Sequence, residues 1–177
     1  MKIIIKQYNK QSEDIKQAAV LIADLADTIW HEHYTPIIGE AQVGYMLSRF
    51  QSAEQIYDDI VNNGFTYFSG YEGEPADKNT PIGYAACRKT DDYLFLSKMY
   101  VHKDYRGKGL SRLFLDEMII LAKSEYNCDK IRLTVNKHND GSIAVYKAMG
   151  FEIIDSIVSD IGVGYVMDDF LMEKRIR

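Results

Sequence analysis

The stretch Tyr105-Arg106-Gly107-Lys108-Gly109-Leu110-Ser111 lies between a strand pattern and a helix pattern. Upstream, residues 93–101 form a mostly apolar and aromatic run of strand length. Downstream, Leu110, Leu113, Phe114, Glu117, Met118, Leu121 and Ala122 recur at helical spacing, one face interrupted only by Glu117. Glycines at the mouth of a helix let its unpaired N–H groups come close to a ligand. Those N–H groups and the helix dipole together suit an anion such as phosphate. Arg106 and Lys108 add positive charge at the same place. The pattern predicts a phosphate cradle.

Spacing decides which cradle. A Walker-type loop needs Gly-Lys followed by Ser or Thr, but Lys108 is followed by Gly109. A dinucleotide fingerprint needs a third glycine three residues after the second, where this chain has Arg112. Both fail. Composition narrows the ligand class further. A net charge of −5 argues against a general binder of nucleic acid or of anionic membranes, and mildly favours a cationic small substrate. The opening Met1-Lys2-Ile3-Ile4-Ile5-Lys6-Gln7 is too short an apolar run for a signal peptide, and no stretch approaches the roughly 18 apolar residues of a membrane span. Cys87 and Cys128 lack metal-type spacing and read as reduced, structural thiols, so a cytoplasmic location is expected.

Along the chain, residues 2–8 read as a strand. Ser12 opens a helix whose face carries Ile15, Ala18, Ala19, Ile22, Leu25, Ala26 and Ile29, and the segment Trp30-His31-Glu32-His33-Tyr34-Thr35-Pro36 is expected to break it. Further helices are expected over residues 40–50 and after the Ser52-Ala53-Glu54-Gln55 box, the latter ending at Asn63-Gly64. Residues 65–71, 80–89 and 93–101 read as strands, with a turn or exposed loop over 72–79. After the cradle helix come a strand over 130–136, a short helix capped by Asn139 or Asp140, and a hairpin of 151–158 with 165–177. The order predicts an α/β sheet protein in one domain, residues 1–177.

The cradle resembles the Arg-x-x-Gly-x-Gly/Ala pyrophosphate loop of the GNAT superfamily of acetyl-CoA-dependent N-acetyltransferases, with Ser111 in the last place. A second segment, from Leu133 through Asn136, Asn139 and Tyr146 to Gly150-Phe151, resembles that family's strand–Asn–x–x–Asn–helix–Tyr–x–x–x–Gly–Phe pattern. The resemblance covers nearly the whole chain. It implies a GNAT fold, a mixed and mostly antiparallel central sheet flanked by helices, with acetyl-CoA as the cofactor.

The resemblance also implies site residues. Met99, Tyr100 and Val101 lie on the strand whose backbone, in the family, splays to face the acetyl carbonyl and the pantetheine arm. Arg106, Gly107, Lys108, Gly109, Leu110 and Ser111 would hold the pyrophosphate, and Asn139 would reach the CoA arm while capping its helix. Tyr146 is suited to protonating the departing thiolate, against the alternative of a core tyrosine beside Ile143 and Ala144. No carboxylate lies on the 93–101 strand, so the base must come from elsewhere. Glu32 or His33 could take the proton or hold a cationic amine, with Trp30 and Tyr34 stacking on it, and Asp168, of the pair Asp168-Asp169 of which one must point inward, is expected to bind the substrate ammonium. Histidines two apart at 31 and 33 make a metal site a poor reading.

The expected activity is direct acetyl transfer from acetyl-CoA to a primary amine, such as a polyamine, diamine or amino sugar. The alternatives are a peptide or protein acceptor, an acetyl-CoA-binding regulatory or sensor module without turnover, and a toxin-type enzyme acting on aminoacyl-tRNA, which the acidic charge disfavours. No nucleic-acid or membrane partner is expected, and a homodimer is left open.

Overall fold

The computed structural model describes residues 2–73 and 80–176. Seven strands form one sheet in the order β1 (Ile3–Tyr8), β2 (Phe65–Glu72), β3 (Gly83–Lys89), β4 (Leu94–Val101), β5 (Lys130–Asn136), β7 (Tyr165–Arg175), β6 (Glu152–Gly162). Every neighbouring pair is antiparallel except β4 with β5. The expected mixed, mostly antiparallel sheet flanked by helices is what forms. Part of the loop expected over 72–79 lies outside the described residues.

Helices cover both faces. One core packs α1 (Ile15–Ile38), α2 (Glu40–Phe50) and α3 (Ala53–Val61) on Tyr8, Tyr67, Tyr84 and Ala86. The other packs α4 (Leu110–Ser124) and α5 (Asp140–Ala148) on Phe68, Ala85, Cys87, Leu94 and Leu96.

Three sequence expectations need correction. The first helix does not break at Trp30. It continues to Ile38 with Pro36 inside it, because the apolar spacing continues: Trp30 is buried, and Tyr34 stacks on it one turn later at 4.4 Å. Pro36 lies in the last turn, where its missing N–H costs one hydrogen bond, and Gly39 at φ 84° ends the helix. The buried face of α4 is also rotated from the one expected, with Leu115 inside and Leu113 at the surface. The last hairpin is tighter than expected: its strands extend to a two-residue turn at Val163-Gly164, both at positive φ, as a primed hairpin turn requires.

Two irregularities of β4 position the site. Its register with β3 slips by one residue, Ala86 facing Lys98 and Cys87 facing Leu96, which leaves Ser97 as a bulge. The bulge exchanges the two faces of the strand. Leu94 and Leu96 point to the α4 core, whereas beyond Ser97 it is Met99 and Val101 that do so, and Tyr100 turns to Trp30 of α1. The second irregularity is the short pairing with β5, confined to Leu94 with Ile131 and Phe95 with Arg132. From Leu96 onward the two strands part.

Candidate active site

A 3-10 turn at Lys103–Tyr105 leads from β4 into the glycine turn and α4. Four contacts hold that turn. The Tyr105 hydroxyl donates to Glu72 Oε2 at 3.1 Å, Arg106 Nε donates to the Val101 carbonyl at 3.1 Å, and Arg106 and Lys103 flank Glu32 of α1 at 3.8 and 3.9 Å. Gly107 and Gly109 have φ of 74° and 86°, conformations that L side chains rarely adopt. Gly109 is the N-cap of α4, so the N–H groups of Leu110 and Ser111 have no carbonyl a turn earlier in the helix to bond. The helix mouth is brought down onto the sheet by a pair of glycines facing each other across strands. A Cβ on Gly70 or on Gly83 would come within 2.7 Å of Leu110, which fills the dent they leave.

Between α4 and α5 runs a groove of about 690 Å³, within the usual range of ligand sites. Met99, Tyr100 and Val101 form its floor, Arg106, Gly107, Gly109, Leu110, Ser111 and Arg112 its basic end, and Ser142, Val145 and Tyr146 a wall. A second, narrower cavity of about 90 Å³ opens where β4 and β5 part. Trp30, Tyr34, Ile38, Gln42 and Met46 line it from the helices, Ser97 and Tyr100 from β4, Thr134 and Asn136 from β5, and Met167 and Asp169 from β7. Met99, Tyr100, Tyr34, Ser142 and Tyr146 border both spaces. The groove and the cavity meet there.

Desolvation raises the Tyr146 hydroxyl above the ordinary phenol value, with the nearby Tyr34 adding to the rise, so it holds its proton at neutral pH. Desolvation also pushes Tyr34 up to about 12. Asn139, 2% exposed, accepts from the Ser142 N–H that opens α5, lies 3.2 Å from His33 Nε2, and donates to the Tyr34 hydroxyl at 3.4 Å. One amide therefore caps α5 and fastens it to α1. Elsewhere Lys98 is buried against the Phe50 carbonyl, the Tyr67 hydroxyl and Asp59, and desolvation lowers it to about 8. It lines neither space.

The sequence-derived residues divide accordingly. Met99, Tyr100, Val101, Arg106, Gly107, Gly109, Leu110, Ser111 and Tyr146 lie on the groove, as does His33. Trp30, Tyr34 and Asn139 line the narrow cavity. Lys108 lies beside the turn, its ammonium over the Tyr105 ring at 4.8 Å. Glu32 faces Lys103 and Arg106 instead of the cavity, because the unbroken helix carries it round to the side of the glycine turn. Asp168 is ion-paired with Lys137, and Asp169, one residue on, is the member of the acidic pair that enters the cavity. Asp169, Ser97, Gln42 and Thr134 were not singled out from the sequence. Only Asp169 carried a signal, the strict alternation of a strand.

Residues 25–151 match the model of the acetyltransferase (GNAT) family. Among curated relatives, a probable N-acetyltransferase, san, of Drosophila melanogaster is 29% identical over 79 residues, 42% of this chain and 43% of that protein. A probable spermine N(1)-acetyltransferase of Bacillus subtilis subsp. natto is 30% identical over 59 residues, 33% of this chain and 39% of that protein. Each match thus spans less than half of the relative. The fold aligns over 99% of this chain with PaiA N-acetyltransferase of Thermoplasma acidophilum, solved in complex with coenzyme A, at TM-score 0.78 and 21% identity over 99% of that chain. A GNAT-family acetyltransferase of Staphylococcus aureus aligns at TM-score 0.68 and 19% identity, covering 99% of this chain and all of that one. The sheet parted beside a glycine-turn helix mouth is shared in fold with these solved acetyltransferases, one of which holds coenzyme A. The chain belongs to the GNAT acetyltransferase family, whose members use acetyl-CoA.

Proposed function

We propose that this protein transfers the acetyl group of acetyl-CoA directly to a primary amine, with a small molecule as acceptor. The observation that carries the reading is the junction of the groove with the narrow cavity at Tyr146. A thioester laid along the groove meets there an amine arriving through the cavity.

The basic turn fits the cofactor's pyrophosphate. Two positive-φ glycines expose backbone N–H groups at a helix mouth, Arg106 supplies charge, and nothing lies within 4 Å of where a Cβ on Gly107 or Gly109 would stand. The bound cofactor supplies an activated acetyl group. Beyond Phe95 the β4 edge has no pairing with β5, and the N–H groups freed there suit the acetyl carbonyl oxygen as it gains negative charge. Tyr146, protonated at neutral pH, donates to the thiolate as the C–S bond breaks. Both free cysteines are buried and line neither space, which favours a ternary complex over a covalent acetyl carrier. The match to a probable spermine acetyltransferase supports a polyamine among the acceptors. Among substrates to test, amines bearing a protonated nitrogen on a slim chain come first, because the cavity is narrow.

The test is a panel of amines with acetyl-CoA, followed as free thiol. Tyr146→Phe is expected to cut turnover about 10²-fold or more while acetyl-CoA affinity by calorimetry stays within about twofold. An unchanged rate would return Tyr146 to a packing role. Acetyl-CoA binding without thiol release against any amine would instead support a sensor module.

A further inference from the structure

Resting on the acetyltransferase reading above, we propose that Asp169 holds the acceptor's ammonium and removes its proton, and that the cavity reads this one cationic centre alone, which makes it a site for primary alkylamines. The placement comes from the register. Asp169 pairs across β5–β7 with Asn136, the last residue of β5, at the end of the sheet where β4 has already parted from β5. Its side chain enters the cavity, and Oδ1 is buried with no hydrogen-bond partner. A buried carboxylate oxygen without a donor is costly, and an ammonium offers what it lacks.

Tyr34 borders both the cavity that Asp169 enters and the groove. Its ionisation is influenced by the Asp169 carboxylate, and it influences in turn the Tyr146 hydroxyl. Asp169, Tyr34 and Tyr146 all line this one narrow cavity. Trp30, Tyr34 and Tyr100 stack around the approach with centroids 4.4 to 6.1 Å apart, faces that attract a cation on its way in. Among the described residues lining the cavity, Asp169 is the one carboxylate. At about 90 Å³ the cavity has room for an aminoalkyl arm, and a second ammonium would find no second carboxylate among its described lining residues.

The protons balance. Asp169 takes one from the alkylammonium, and the freed nitrogen lone pair attacks the thioester carbonyl carbon. As the tetrahedral intermediate collapses, the C–S bond breaks and the thiolate takes the Tyr146 proton. The nitrogen sheds its second proton, which restores Tyr146. The products are the amide, CoA thiol and one proton passed from Asp169 to solvent.

The groups facing Asp169 are Tyr34 of α1, Tyr100 of β4, Thr134 of β5, Lys137 beyond it, Tyr146 of α5 and Asp168 on its own strand. Desolvation pushes the Asp169 carboxyl up to about 6, with Thr134 and Lys137 opposing the rise and Asp168 adding to it. The ionised carboxylate is the working form, so kcat/KM for the amine should fall as pH drops through about 6.

The experiment compares the wild-type protein with Asp169→Asn, using pentylamine, 1,5-diaminopentane and a short peptide with a free N-terminus, with thiol release followed from pH 5 to 8. The expected result is a loss of about 100-fold or more in kcat/KM for pentylamine, disappearance of the acid limb, and acetyl-CoA affinity by calorimetry within about twofold. In the wild-type protein, kcat/KM for the two alkylamines should agree within about tenfold. Full activity in Asp169→Asn, an unmoved acid limb, a strong preference for the diamine, or acetylation of the peptide alone would overturn the assignment while the acetyltransferase reading stands. Thiol release with no amine of any kind would remove both.

Discussion

Single residues set the geometry of the cofactor side. Gly109 has φ 86° and caps α4, so it meets two demands at once: a conformation closed to most side chains and a bare surface toward an anion. Gly109→Asp is therefore expected to abolish acetyl-CoA binding. The carboxylate would repel the pyrophosphate, and the left-handed backbone would add strain of about 1 kcal/mol. Calorimetry decides it, and wild-type affinity in the variant would move the cofactor off this turn. That pair of glycines was legible in the sequence because the requirement is local: glycine, basic residue, glycine, helix. The acidic pair shows the opposite case. Alternation says that one of Asp168 and Asp169 faces in, but which one depends on how the hairpin docks on β5. The register of β6 with β7 shifts twice along that hairpin, and no local pattern announces either shift.

At the scale of elements, packing of α4 on β2 and β3 determines where the glycine turn sits. Leu110, the first residue of α4, rests in the dent formed by Gly70 and Gly83, and a Cβ on Gly83 would also come within 2.9 Å of the Tyr100 carbonyl. Gly83→Ala should lift the helix mouth from the sheet and press on the β4 backbone beside the acetyl position. The expected cost is about 1–3 kcal/mol of stability in urea unfolding, together with weaker acetyl-CoA binding. Wild-type stability and affinity would show that Leu110 can simply move aside. Most elements could be read from apolar period and caps, such as Ser52, whose hydroxyl accepts from the Gln55 N–H as the box predicts. The end of α1 could not. Pro36 argued for a break near Trp30, yet the spacing from Ile15 through Ala26, Ile29 and Trp30 ran on, and burial of that face outweighed one lost hydrogen bond. The same continuity sets the position of Glu32, which the unbroken helix turns toward Arg106. The bulge at Ser97 left no mark either, since a strand with one extra residue reads like any other.

At the scale of the whole molecule, the site draws on segments far apart in the chain. His33 and Tyr34 of α1 meet Asn139 at the start of α5, and both elements border the groove that begins at the Arg106 turn. The stretch of the groove from Met99 to Arg112 is contiguous in sequence and hence legible. The narrow cavity is assembled from α1, α2, α5, β4, β5 and β7, and exists only once the sheet has formed. Filling the groove should therefore tie those elements together. Because a ligand that binds only the folded state stabilises it by mass action, CoA at 100-fold above its dissociation constant should contribute about 2.7 kcal/mol. For a chain of this length that is a rise in melting temperature of roughly 5–10 °C. The rise should saturate with CoA concentration and vanish in Gly109→Asp. Backbone hydrogen exchange should slow not only in α4, next to the pyrophosphate, but also in the last two turns of α1 and the first of α5, where Asn139 joins them. Protection confined to α4 would mean that the cofactor touches the turn without engaging the groove. An unshifted melting temperature at saturating CoA would mean that it does not bind there at all.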